Sequence, residues 1–149
     1  MKILVGLGTC GIAAGAEGVY RALAARRDNG GPRFELGKTG CLGMCYVEPL
    51  VEVIDDLGAS WQYGGVTAER LDRILAEHVA GGRPVAEWLV WSDGREGHEG
   101  AYLARQERIV LRNCGRIDPE RIEDYLAAGG YAALRRVIDT RIESLEGKW

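Results

Sequence analysis

Cys41 and Cys45 are separated by three residues in Gly40-Cys41-Leu42-Gly43-Met44-Cys45-Tyr46-Val47-Glu48-Pro49. That spacing lets both sulfurs address one centre. Gly40 and Gly43 allow the backbone to turn tightly enough for its N–H groups to face the sulfurs, as iron–sulfur sites require. A third thiol, Cys10, lies in a second glycine-rich turn, Gly8-Thr9-Cys10-Gly11, after the first apolar run. Cys10, Cys41 and Cys45, in two loops of the βα type, are therefore the candidate metal ligands. The same thiols allow thiol–disulfide chemistry. Cys10 follows a strand and opens a helix, whose dipole would lower its pKa, and Cys41 could pair with Cys45 if their Cα atoms lie within about 7 Å. No Cys-x-x-Cys motif accompanies them. The bland alternative is a scaffold that binds no cluster and keeps the thiols as small buried residues.

The elements that would position these residues must fit 149 residues of 46% hydrophobic content, enough for one domain or one domain with an extension. A net charge of −3, with Lys and Arg interspersed among Asp and Glu, offers nucleic acid no basic stripe, and none is expected as a partner. No apolar run approaches the ~20 residues of a spanning helix, so no membrane insertion is expected. Met1-Lys2-Ile3-Leu4-Val5 is too short for a signal peptide, and a cytoplasmic location follows as the expectation. Four cysteines in that setting favour metal or redox chemistry over a disulfide framework.

Lys2–Val5 reads as a buried strand that the glycines at 6, 8 and 11 end. From Ile12 the apolar positions Ile12, Ala16, Val19, Tyr20 and Leu23 predict one helix, stopped by Asn29-Gly30-Gly31-Pro32. Gly15 and Gly18 fall inside it, at up to ~1 kcal/mol each relative to Ala, and close packing on a sheet is the expected reason. Residues 33–37 predict a weak second strand leading into the cysteine loop. Residues 50–54 and 59–63 predict a hairpin about Asp55-Asp56-Leu57-Gly58. Thr67 should cap a helix striped by Leu71, Ile74, Leu75, His78 and Val79 and ended by Gly81-Gly82. His78 shares that buried face and reads as a core histidine. The order β-α-β-β-β-α, with cysteines in the loops after the first two strands, describes an α/β, thioredoxin-like sheet flanked by helices.

Residues 85–107, with Trp88, Trp91 and then a polar glycine-rich run, read as a connector between a domain at 1–84 and a mostly helical extension at 108–149. In the extension, residues 108–111 look strand-like, and Asp118-Pro119 predicts the start of a short helix over 120–126. Tyr131, Leu134, Val137, Ile138, Ile142 and Leu145 stripe a final helix. The tail is too short for its own core, so its apolar face should dock on the domain or on another chain.

Gly8-Thr9-Cys10-Gly11-Ile12-Ala13-Ala14-Gly15-Ala16 and Gly40-Cys41-Leu42-Gly43-Met44-Cys45 with Glu48-Pro49-Leu50-Val51 resemble the thioredoxin-like ferredoxin domain that begins the NADH-binding subunits of NAD-linked hydrogenases and formate dehydrogenases. Those subunits are relatives of the NADH-binding subunit of respiratory complex I. Arg112-Asn113-Cys114-Gly115-Arg116-Ile117-Asp118-Pro119, with Tyr125-Leu126 and Gly129–Leu134, resembles the lead-in to their flavin domain. The resemblance implies a 2Fe-2S cluster on Cys10, Cys41 and Cys45, with other subunits of a NAD-linked oxidoreductase complex as partners. The family pattern has four ligand cysteines, and the place of the missing one falls on Val5, which cannot ligate iron. A water, a backbone group or a partner's residue could supply the fourth donor. The resemblance puts Cys114 in the connecting segment rather than at the cluster.

In the family's order, the glycine-rich FMN and NADH loop and the later 4Fe-4S motif come after the point matched by Trp149, so no FMN or NAD site is expected. The implied role is a non-catalytic electron-transfer or assembly module. Apolar surface retained at Trp88, Trp91 and along the final helix predicts a homo-oligomer for the isolated chain.

Overall fold

The computed structural model describes residues 1–92 and 105–146, with side chains as far as Arg141. Five strands form one mixed sheet in the order β2-β1-β3-β4-β5: β1 Lys2–Gly6, β2 Glu35–Thr39, β3 Val51–Ile54, β4 Ser60–Tyr63 and β5 Leu89–Ser92. β1 is parallel to β2, joined through helices, and antiparallel to β3; β3, β4 and β5 continue antiparallel. With a strand on each side and packing above and below, consecutive residues Ile3, Leu4 and Val5 are all buried.

One face carries the main core. Val5, Val51, Val53 and Tyr63 meet Ala16, Val19 and Leu23 of α2 (Ala16–Asp28) and Leu71 of α3 (Ala68–Arg73), which continues as π-helical turns over Ile74–Ala80. The hydroxyl of Thr67 accepts the amide of Arg70 at 3.3 Å, the expected cap. His78 is buried as expected, with Nδ1 2.8 Å from the Tyr63 hydroxyl. The opposite face carries a smaller cluster, Leu42, Met44, Leu50 and Val90, with Val47 and Cys114 against it.

Several expectations are corrected. The helix expected from Ile12 is two: α1 (Thr9–Ala13) and α2, broken by Gly15 in the left-handed region at φ +96°. Close packing does not explain Gly15 or Gly18, since a Cβ at either meets nothing within 4 Å. Ile12 is exposed rather than on the buried face. The connector expected from residue 85 instead begins with a 3-10 turn, Ala86–Trp88, and β5. Trp88 is partly buried on the main core, with Arg70 and Arg73 each 5.0 Å from its ring, so it is not leftover apolar surface. The glycine-rich part of the connector, 93–104, lies outside the described residues.

Residues 108–111 form turns, not a strand, with Val110 92% exposed. The helix expected at 120–126 is α4, Ile122–Ala127, and the final helix is α5, Ala132–Glu146; the side chains of Ile142 and Leu145 lie outside the described ones. Among the described residues no helix is long and apolar enough to cross a membrane.

Candidate metal centre

The cysteine loop leaves β2, passes Gly40 to Met44, makes a 3-10 turn over Cys45–Val47 and enters β3 through a cis Glu48–Pro49 peptide. Leu42 and Met44 anchor it by burying their side chains in the smaller core, while Cys41 is partly exposed and Cys45 exposed. Gly43, at φ +87°, occupies a conformation that L side chains rarely adopt, and its amide donates to Cys41 Sγ at 3.3 Å. The Cys41 and Cys45 sulfurs stand 3.5 Å apart, both as free thiols. Two thiolates on one tetrahedral ion at about 2.3 Å would lie about 3.8 Å apart, so the pair fits one iron with a few tenths of an ångström of adjustment.

Cys10 is exposed in the first turn of α1. Its loop packs on the cysteine loop at Gly8, where a Cβ would stand 3.0 Å from Cys41 Cβ and 3.1 Å from the Cys41 amide nitrogen. Gly11 is pressed as closely: a Cβ there would come within 2.2 Å of the Gly6 carbonyl oxygen. The sheet thus brings the two thiol-bearing loops together at one end of β1. Among the described residues no three His, Cys, Asp or Glu side chains converge on a single metal ion. A binuclear centre would divide its protein ligands between two irons, and the Cys41–Cys45 spacing suits one such pair.

Two residues that the sequence did not place at the centre lie beside it. Cys114 Sγ is 3.8 Å from where a Cβ on Gly40 would stand. Its segment is held by the Gly115 amide donating to Thr39 Oγ1 at 2.7 Å and by Lys38 Nζ against Glu120 at 2.7 Å. Glu48 tucks its carboxylate beneath the Cys10 loop, Oε2 accepting the Leu50 amide at 2.8 Å and Oε1 buried with no hydrogen-bond partner. Burial pushes the Glu48 carboxyl above its ordinary value, against the pull of the Leu50 amide. At Cys41 the Gly43 amide draws the thiol down, but burial, the Cys45 thiol and the Glu48 charge together hold it above its ordinary value. The available signal for Glu48 was a single carboxylate set between Val47 and Pro49 inside the motif.

A parallel β1–β2 pair, an antiparallel β3-β4-β5 extension and thiols in the loops leaving β1 and β2 define a thioredoxin-like ferredoxin fold. A solved thioredoxin-like [2Fe-2S] ferredoxin from Aquifex aeolicus superposes with a TM-score of 0.55 at 23% identity, covering 65% of this chain and 96% of that one. No protein-family model matches the chain. It is 32% identical over 110 residues to NADP-reducing hydrogenase subunit HndB of Solidesulfovibrio fructosivorans, covering 73% of this chain and 77% of that subunit. It is also 44% identical over 57 residues to a 2Fe-2S ferredoxin of Aquifex aeolicus (strain VF5), 38% of this chain and 48% of that one. The chain belongs to the family of hydrogenase subunit HndB and shares the fold of the thioredoxin-like 2Fe-2S ferredoxins, in agreement with the resemblance carried by its cysteine motifs.

Proposed function

We propose that the chain is an electron-transfer module of a multi-subunit NAD-linked oxidoreductase in the cytoplasm, holding a 2Fe-2S cluster with Cys10, Cys41 and Cys45. The observation that carries this is the pair of free sulfurs 3.5 Å apart with the Gly43 amide on one of them. A bound cluster supplies one-electron chemistry, and an amide donor at a ligand sulfur tunes the potential at which it does so. The protein contributes the rest: it fixes the loop through Leu42 and Met44 and packs the Cys10 loop against it at Gly8. The Gly115 amide ties its segment to Thr39 at the end of β2, next to the cysteine loop, and we assign the extension at 108–149 to contact with neighbouring subunits. No catalytic residue, FMN site or NAD site is assigned to this chain.

Anaerobic reconstitution with iron and sulfide is the test. Charge-transfer absorption in the visible that bleaches on reduction, with two irons per chain, is the expected result. Colourless, iron-free protein would overturn the electron-carrier role and leave a scaffold. A reversible Cys41–Cys45 dithiol without metal would instead favour thiol–disulfide chemistry.

A further inference from the structure

We propose that Glu48 supplies an oxygen donor to the cluster, its carboxylate standing in for the thiol missing at Val5. The assignment rests on the cluster reading above and deepens it. Val5 is fully buried in the main core, paired with Lys38 and Val51, and offers iron nothing. The Glu48 carboxylate reaches the same end of β1. Both its oxygens lie 3.6 Å from where a side chain on Gly6, the residue after Val5, would begin, and Oε2 lies 3.1 Å from the corresponding point on Gly11, the residue after Cys10.

The Leu50 amide fixes the orientation of that carboxylate, and Oε1 is left out of solvent with no donor. Among the described residues, no Lys, Arg or His side chain forms an ion pair with it. A buried carboxylate oxygen without a proton donor or a cation is an expensive arrangement, and a ferric ion relieves it, since carboxylate oxygen is an established type of iron donor. Glu48 lies three residues beyond Cys45 on the same loop. Ligation is a lone-pair bond from Oε1 to iron. No electron changes hands, and any proton on the carboxyl leaves to solvent. Cys114 is the competing donor, but it packs against the smaller apolar cluster on the opposite face of the sheet.

The full chain, reconstituted anaerobically with isotopically enriched iron and sulfide, decides by Mössbauer spectroscopy. The wild type should show two inequivalent irons, one with mixed oxygen and sulfur ligands. Glu48→Gln, which keeps the shape and an acceptor for the Leu50 amide, should retain iron at least about tenfold less well with unchanged far-UV circular dichroism. Glu48→Cys should restore retention with two similar irons, a result that a merely structural role would not give. Wild-type iron content and an unchanged spectrum in Glu48→Gln would overturn the assignment, as would loss of the cluster in Cys114→Ser alone. If Glu48→Gln does not fold, the wild-type spectrum decides, and two equivalent all-sulfur irons overturn it. Wild-type protein that takes up no iron refutes the cluster itself, a result distinct from each of these.

Discussion

The Cys41 and Cys45 sulfurs approach to 3.5 Å across a loop whose geometry depends on one left-handed glycine, Gly43 at φ +87°. Cys41→Ser and Cys45→Ser should each abolish the visible absorption of reconstituted protein. Gly43→Ala keeps both thiols but places a side chain in the left-handed region, at about 1–2 kcal/mol, and tilts the amide away from Cys41 Sγ. We expect it to bind iron but release it faster to a chelator. Equal release rates for Gly43→Ala and the wild type would show that the loop does not shape the centre.

The glycines of the first helical region separate by surroundings. Gly11→Ala drives a Cβ to 2.2 Å from the Gly6 carbonyl oxygen, a backbone atom that cannot swing aside, and should cost about 1–3 kcal/mol. Gly18→Ala lies within α2 in open space and should stabilise by up to ~1 kcal/mol. Urea unfolding midpoints that move in opposite directions for the two variants would bear this out.

What was legible followed from periodicity. Alternation over residues 50–54 and 59–63 announced the hairpin, and Asp55 closes its turn by accepting the amides of Leu57 and Ala59 at 2.9 Å each. Thr67 announced its cap in the same local way. Gly15 did not announce the break, because Ala13, Ala14 and Ala16 around it are good helix formers and its left-handed φ is not written in composition. Residues 108–111 carry strand-like Ile, Val and Leu, yet pair with no strand of the sheet. Leu89–Ser92, read as connector, adds to the edge of β4 instead. At the centre, residue type and spacing pointed to Cys10, Cys41 and Cys45 as candidates, and the fold brings their two loops together. The inward turn of Glu48 is a tertiary fact, since a glutamate before a proline ordinarily reads as a solvated loop residue.

His78 gives the protein an acid limit. Burial holds its imidazole below the ordinary value, against the pull of Asp55, while burial of its partner Tyr63 pushes that phenol up to about 12. The native state therefore keeps His78 neutral where the unfolded chain already takes up a proton. Its contribution is full above about pH 6.5 and is lost as pH falls from there toward the depressed folded value, by up to about 1.4 kcal/mol per pH unit. Denaturation midpoints should fall between pH 7 and 5.5 in the wild type and change less in His78→Phe. That variant should start about 1 kcal/mol lower at pH 7, since the Tyr63 hydroxyl loses a buried partner. Parallel curves for the two proteins would assign the acid limit to other groups.

The final helix, α5, carries an apolar stripe. Tyr131, just before its first residue, and Leu134, Val137 and Ile138 within it recur at helical spacing, and each is about half exposed. Arg135, Arg136 and Asp139 occupy the intervening positions. A stripe of this kind removed from water at roughly 25 cal/mol per Å² drives association. In the proposed complex a neighbouring subunit covers it. In the isolated chain the partner available is a second copy, and two such helices packed antiparallel about a two-fold axis are self-complementary. We expect a dimer by sedimentation velocity at micromolar concentration, and a monomer for Leu134→Glu with Ile138→Glu, which sets two carboxylates of each copy in the contact. Because Leu134 and Ile138 belong to neither hydrophobic core cluster, the double variant should keep the wild-type unfolding midpoint at a concentration where both are monomeric. A wild type that sediments as a monomer throughout the micromolar range would remove the self-association and leave α5 to the neighbouring subunit alone.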